Sequence, residues 1–327
     1  MNIWLSYLID SVAFGVTFMY GSTGEIITEK AGHLNLGIPG IMCMGGAGGC
    51  LVLNVVGKWS QALVNMGLPP LPGYIFVLAG IFGAVVMSML MGLIYSFLTV
   101  TLRANQNVTG LVLTTFGTGL MKVIMSKLDS EIYLNGPKNF YRWPFETRTD
   151  PLLYLGILFY LAIIIAIAAS YVLYKTKVGL HLRAVGESPA TADAVGVNVT
   201  RYKYLATMIG SAIAGLGGLY YIVDYSGSTE AYLSIEGYGW MAIALVIFAL
   251  WRPHLTIVGS IVFGFLFSCG AHIVNIPGVS VNLVMTYLLK MLPYICTIVV
   301  LIITSIRNKR ENQPPASLGL PYFREER

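Results

Sequence analysis

Apolar positions along this chain fall in long unbroken runs, at residues 5–20, 38–56, 74–100, 108–125, 152–174, 204–223, 238–251, 255–272 and 281–306. A helix needs about 20 mostly apolar residues to cross the hydrocarbon core, where every backbone N–H and C=O has to be satisfied within the segment. The runs meet or approach that length. They predict an all-α polytopic membrane protein with about nine or ten transmembrane helices, the tenth hidden in 74–100 or in an irregular segment. Between the runs lie three polar connections, 126–150, 175–203 and 224–237, and a polar tail, 307–327.

Composition agrees with the pattern. Hydrophobic residues make up 56% of the chain and charged ones 11%, and mean hydropathy is +0.73, beyond what a soluble domain's surface tolerates. The net charge of +5 becomes informative once its placement is read. Lys30, Arg103, Lys175, Lys177, Arg183, Arg201, Lys203, Arg252, Arg307, Lys309, Arg310, Arg324 and Arg327, thirteen of the 20 basic residues, gather on one side when the N-terminus is placed outside. Asp129, Glu131, Glu146, Asp150, Asp224, Glu230 and Glu236 gather on the other. Positively charged connections stay in the cytoplasm, so the expected orientation is N-out and C-in. The basic excess is then a membrane-topology signal and argues for no nucleic acid. The opening residues MNIWLSYLIDSVAF lack a basic leader and a small-residue cleavage site and are read as part of the first span. The expected organisation is a transmembrane domain over 1–306, a cytoplasmic loop over 175–203, and a cytoplasmic tail over 307–327 whose Pro and charge content suggests disorder.

Loop 175–203 carries its own short helix. Ser188 is an N-cap, Pro189 occupies the first helical position where its missing N–H costs nothing, and Gly196 can end the turn left-handed. Ala190, Thr191, Ala192, Asp193, Ala194 and Val195 between them give a thin helix able to enter a groove on a partner at close range. An amphipathic helix resting on headgroups is the competing interpretation. In 24–49, Glu25, Glu29, Lys30, His33 and Asn35 precede a span rich in glycine, from Gly37 and Gly40 through Gly45, Gly46, Gly48 and Gly49. Such density serves close helix packing or a non-helical cavity lining. In 102–110, Gln106, Asn107 and Thr109 stand at the mouth of a span, where they line a polar path or cap a helix.

These stretches resemble a known family, the permease subunits of ATP-binding-cassette importers of the ribose, branched-chain amino acid and nucleoside type. The resemblance is carried by GEIITEKAGHLNLGIPGIMCMGG, TLRANQNVTGL, TKVGLHLRAVGESPATADAVGVNVTRYKYLATMIGSAIAGLGGLYY and YGWMAIALVIFALWRPHLTIVGSIVFG, in the family's order over most of residues 20–265. It looks closest to permeases paired with nucleoside-binding lipoproteins, although Pro39 stands where that motif commonly has glutamate. The resemblance implies a bacterial plasma-membrane subunit that forms a path for a small polar solute with a second permease, a different chain. An extracellular binding lipoprotein would deliver the solute, and ATP and Mg would be used on a partner ATPase, with no cofactor, metal or catalytic residue on this chain. By the same similarity, Arg183, Glu187, Ser188, Pro189, Ala190, Thr191, Ala192, Asp193, Ala194 and Gly196 would couple to the ATPase. Asn35, Gly37, Gln106, Asn107 and Thr109 would border the translocation path. Ribose-like sugars and branched-chain amino acids are the other solute classes.

No phosphate-binding G-x-x-x-x-G-K-[ST] loop is present, so ATP hydrolysis is expected elsewhere. A self-contained secondary transporter driven by an ion gradient is the alternative, with Asp10 and Lys290 as its ionisable residues inside spans. His33, His181, His254 and His272 are isolated, and Cys43, Cys50, Cys269 and Cys296 lack ligand spacing, which argues against an enzyme. An echo between AGHLNLGIPGIMCMGGAGG and VGVNVTRYKYLATMIGSAIAGLGG, each an Asn-bearing turn before a glycine-ended span, suggests two related halves.

Overall fold

In a computed structural model describing residues 3–134, 155–273, 282–307 and 313–323, the nine apolar runs become nine long helices among the described residues. These are α1 (Ile3–Lys30), α2 (Ile38–Asn65), α3 (Gly73–Ser96), α4 (Gln106–Met125), α6 (Ile157–Lys175), α9 (Val199–Leu219), α10 (Ile235–Phe248), α11 (Pro253–Ile273) and α12 (Leu283–Arg307). Three shorter helices join them: α5 (Ser130–Leu134), α7 (Lys177–Glu187) and α8 (Pro189–Ala194). Wider π-helical turns extend α3 through Phe97–Thr101 and α9 through Tyr220–Ser226. With those extensions and the 3₁₀ turn Ala231–Ser234 ahead of α10, six helices are long and apolar enough to cross a membrane: α2, α3, α4, α6, α9 and α10. The chain is an all-α polytopic membrane protein, and 74–100 forms one helix, not two.

The boundaries differ from the hydropathy reading where polar residues are buried by neighbours. α1 continues to Lys30, not residue 20, so Glu25 and Glu29 lie inside a helix and are fully enclosed. Asp224, expected in an outer loop, is buried in the π-helical extension of α9. Asp10 lies half-buried on α1, whereas the side chain of Lys290 on α12 and residues Glu146 and Asp150 fall outside the described residues.

Lipid tails offer helices no hydrophobic drive to associate, so backbones must come close enough for dispersion and polar contacts to hold them. The glycines of α2 do this. A Cβ at Gly45 would overlap the backbone of Gly215 on α9, and one at Gly40 would lie 2.5 Å from the Leu113 carbonyl oxygen of α4. Gly218 meets the Met42 carbonyl, and Gly48 lies against Gly83 of α3. Thus α2 is the centre of the bundle, buried almost throughout its first half between α3, α4 and α9. Of the two roles open to these glycines, the structure shows close packing. Pro39 at the start of α2 occupies the space over Gly239 of α10.

Gly45→Val should therefore prevent α2 and α9 from closing and lower stability by about 3 kcal/mol or more. Gly119→Ala, where a methyl meets nothing within 4 Å, should be neutral. Thermal unfolding of the detergent-solubilised variants checks both.

Candidate functional site

One face of the bundle collects the ends of α1, α3, α6 and α10, the starts of α2, α4, α9 and α11, and helices α7 and α8. The α7–α8 hairpin is fixed by local hydrogen bonds. Thr176 caps α7 by accepting from the Gly179 N–H at 3.2 Å. Ser188 caps α8 by accepting from Thr191 N–H at 3.4 Å, with Pro189 at the first position. Gly196 leaves the helix at φ +86° and donates to the Asp193 carbonyl at 3.0 Å. Asn198 caps α9 through the Arg201 N–H at 2.9 Å. Each cap satisfies an N–H that the first turn of a helix leaves without a partner.

Burial divides the helix into two sides. Ala192 is only 2% exposed, packed on Val185 and Val199, while Ala190, Thr191, Ala194 and Val195 face outward. The small side chain at 192 lets α8 sit down on the bundle, and the outward residues form the surface a partner could reach.

Beyond the Ala192 contact, two attachments tie the corner of the hairpin to the bundle. Gly186 at the end of α7 lies so close to the Lys30 carbonyl and the Gly32 N–H that any side chain would overlap them. The second attachment is the tail, for which composition suggested disorder. Residues 313–323 instead run along this face, Ser317 N–H donating to the Gly186 carbonyl at 3.1 Å and Gly319 N–H to the Gly32 carbonyl at 3.3 Å. Tyr322 Oη donates to Asp193 Oδ2 at 2.9 Å and packs beside Ala192, and Arg103 stacks over Phe323 at 4.9 Å. These aromatic anchors are few and late, so average composition concealed them.

Beneath the hairpin, buried carboxylates pin the end of α1. Trp251 Nε1 donates to Glu29 Oε2, and Asn35 N–H donates to Glu25 Oε1 at 3.0 Å. Leu250 and Trp251 both adopt left-handed backbone, φ +53° and +55°, a conformation costly for side chains of this size. The turn between α10 and α11 bears that cost and thereby aims the indole at Glu29. The non-helical segment 31–37 is enclosed as well, and its backbone is satisfied from several helices. Gln106 Oε1 accepts from Leu34 N–H at 2.8 Å, Tyr95 Oη donates to the Leu34 carbonyl at 2.7 Å, and Thr114 Oγ1 to the Leu36 carbonyl at 2.8 Å. His33 Nδ1 pairs with Thr207 Oγ1 at 3.0 Å; burial, and after it the Lys203 ammonium, holds the imidazole well below its usual range, so it is neutral.

Of the residues expected to border a solute path, those of segment 31–37 and those at the start of α4 meet one another, and all but Asn107 are buried. Asn35 Oδ1 accepts from Gly37 N–H at 2.9 Å, Gln106 braces Leu34, and buried Thr109 donates to the Asn105 carbonyl at 2.8 Å. Gly37 abuts Leu113 and Gly110, and Asn107 alone of the set is exposed. The expected coupling residues do cluster. Arg183 lies over the Tyr174 ring at 5.1 Å, and Glu187 Oε2 accepts from Ala316 N–H at 3.4 Å. In the sequence Trp251 and Lys203 carry no mark of a role in this cluster, and Glu25 and Glu29, visible ahead of the glycine-rich span, show only an acid spacing of four, about one helical turn.

The family described as "Branched-chain amino acid transport system / permease component" matches residues 7–301. The chain belongs to this permease family. Among relatives, "Putative glucose ABC transporter permease protein TsgC13" of Haloferax volcanii is 30% identical, covering 99% of each chain. "Nucleoside ABC transporter permease protein NupC" of Lactococcus lactis is 29% identical over 89% of the permease and 90% of NupC. "Guanosine ABC transporter permease protein NupQ" of Bacillus subtilis is 27% identical over 99% and 98%. The permease is therefore a membrane-spanning transport subunit of the ABC class.

Replacing Trp251 with Phe removes the indole donor from buried Glu29, and the permease should lose about 1–3 kcal/mol of stability. Pairing it with Glu29→Gln should recover part of that loss, because the buried acceptor is then no longer an unpaired carboxylate. Thermal unfolding of the double-mutant cycle measures the coupling.

Proposed function

We infer that the permease is the membrane subunit of an ATP-driven importer, with the α7–α8 face in the cytoplasm and α8 seated in a separate ATPase. The observation that carries this reading is the two-sided α8 helix: Ala192 buried at 2%, Val195 exposed at 75%, and Gly186 locked on the last carbonyl of α1. A force on the outer side of α8 has a stiff route into the bundle through Gly186 to α1 and through Val199 to α9. Closure of the ATPase on ATP would favour one of two bundle arrangements by binding it more tightly, which is all that a nucleotide can do to such an equilibrium. The basic residues on this face support its cytoplasmic placement in a bacterial plasma membrane.

A second permease, a different chain, would complete the path, and an extracellular binding lipoprotein would deliver the solute. The names of NupC and NupQ favour a nucleoside; that of TsgC13 favours a sugar as the second reading. Uptake of labelled nucleoside against labelled glucose, in cells expressing the permease with its neighbouring genes, separates the two. ATP and Mg belong to the partner chain in this account. The exposed amide of Asn107 is the part of the expected path set open to a passing solute.

Val195→Asp should insert normally yet reduce ATP-dependent uptake at least tenfold, because a new charge on the outer side of α8 opposes a close protein contact. Reconstituted uptake with full transport would contradict the coupling role. Asn107→Cys, assayed in a variant lacking Cys269 and Cys296, should react with a membrane-impermeant thiol reagent in at least one nucleotide state. Protection in every state would remove Asn107 from the path.

A further inference from the structure

Lys203, one turn into α9, is 2% exposed, and among the described residues its ammonium has neither a hydrogen bond nor an ion pair. A buried charge without a partner is among the most costly features a protein can hold, and such groups are normally paired. Lys203 lines a cavity of about 640 Å³ between the end of α3, the start of α9 and the tail. Arg103 and Arg201 line it too, with neutral His33, and among the described residues Asp193 is the one acid in the lining, its Oδ2 already accepting from Tyr322. The capped N-terminus of α9 borders the same space through Asn198, Val199 and Thr200, adding the positive end of a 21-residue helix. Three cationic side chains and a helix N-terminus thus converge on one cavity whose described lining holds a single, already bonded acid.

What fills it is indicated by the surroundings. Val100 and Leu205 belong to the cavity wall, and Phe97, Leu102, Leu205 and Ile209 continue outward as exposed apolar surface on α3 and α9. Polar head and apolar flank together match the anatomy of a phospholipid, and basic pockets between helices on a cytoplasmic side suit anionic head groups. We propose that this cavity binds the phosphate of an anionic phospholipid, with Lys203 as its buried counter-charge and Arg103 and Arg201 at its rim. Its acyl chains lie along Phe97, Leu205 and Ile209. The lipid then ties the end of α3 to α9 beside α8, on the face that also carries the tail.

The test reconstitutes the full-length permease in nanodiscs of phosphatidylcholine with and without phosphatidylglycerol, and measures thermal unfolding and retained lipid by native mass spectrometry. Wild type should retain phosphatidylglycerol and unfold at a higher temperature with it. Lys203→Met, which keeps the volume and removes the buried charge, should bind phosphatidylglycerol about tenfold more weakly. Arg201→Gln, at an exposed position of α9, should weaken binding while leaving the lipid-free unfolding temperature unchanged, so a failure of Lys203→Met to fold does not decide the matter. Inorganic phosphate reproducing the stabilisation in pure phosphatidylcholine would overturn the lipid assignment. Equal retention of both lipids, or an undiminished phosphatidylglycerol effect in Lys203→Met and Arg201→Gln, would overturn the site.

Discussion

The structure rests on how closely the backbone of α2 lies against α9. In hydrocarbon, apolar side chains gain nothing by facing one another, so a stable bundle needs helix axes near enough for dense contact. Gly45 opposite Gly215, and Gly218 opposite the Met42 carbonyl, give that approach at the centre. With α2 held there, its glycine-poor second half reaches the opposite face and its first turn is left beside segment 31–37. Both helices begin on the same face, so the contact also brings His33 against Thr207 and sets the base on which α7 and α8 rest.

That base is polar, and its polarity is fully enclosed. Glu29 with Trp251, Glu25 with Asn35, and Gln106 with Leu34 join α1, segment 31–37, α4 and the α10–α11 turn through single hydrogen bonds. Truncating either member of such a pair strands the other, which makes the cluster stiff. The hairpin above it is joined more simply, by Gly186 on α1, by the Val185, Ala192 and Val199 contact, and by the tail strapped across Gly186 and Asp193. A rigid floor under a thin two-sided helix is what transmission of a push requires. A flexible floor would absorb the motion.

Much of this was legible in the sequence, for reasons that differ by element. The nine apolar runs and the α8 caps at Ser188, Pro189 and Gly196 are local signals, set by hydropathy and by backbone chemistry, and the structure agrees with them. The glycine density of α2 announced close packing without naming its partners, since a glycine carries no mark of what faces it. The reading failed where burial is decided by distant residues. Glu25 and Glu29 looked like loop acids because their donors, the Asn35 backbone and Trp251, lie ten and 222 residues away. Residues 313–323 of the tail are held by Ser317, Tyr322 and Phe323, anchors that proline and charge dilute in the composition. Asn35 and Gln106, expected to border the path, make hydrogen bonds within and to segment 31–37, contacts that local sequence does not announce.

The central claim is that the outward side of α8 meets an ATPase and follows its nucleotide cycle. Site-specific crosslinking from Ala194→Cys, in membranes containing the whole assembly, addresses it most directly. The account predicts a crosslink to a cytoplasmic ATP-binding-cassette subunit whose yield changes between the nucleotide-free and ATP-bound states. A crosslink to lipid or to no protein in either state would contradict it and place α8 on the headgroups instead.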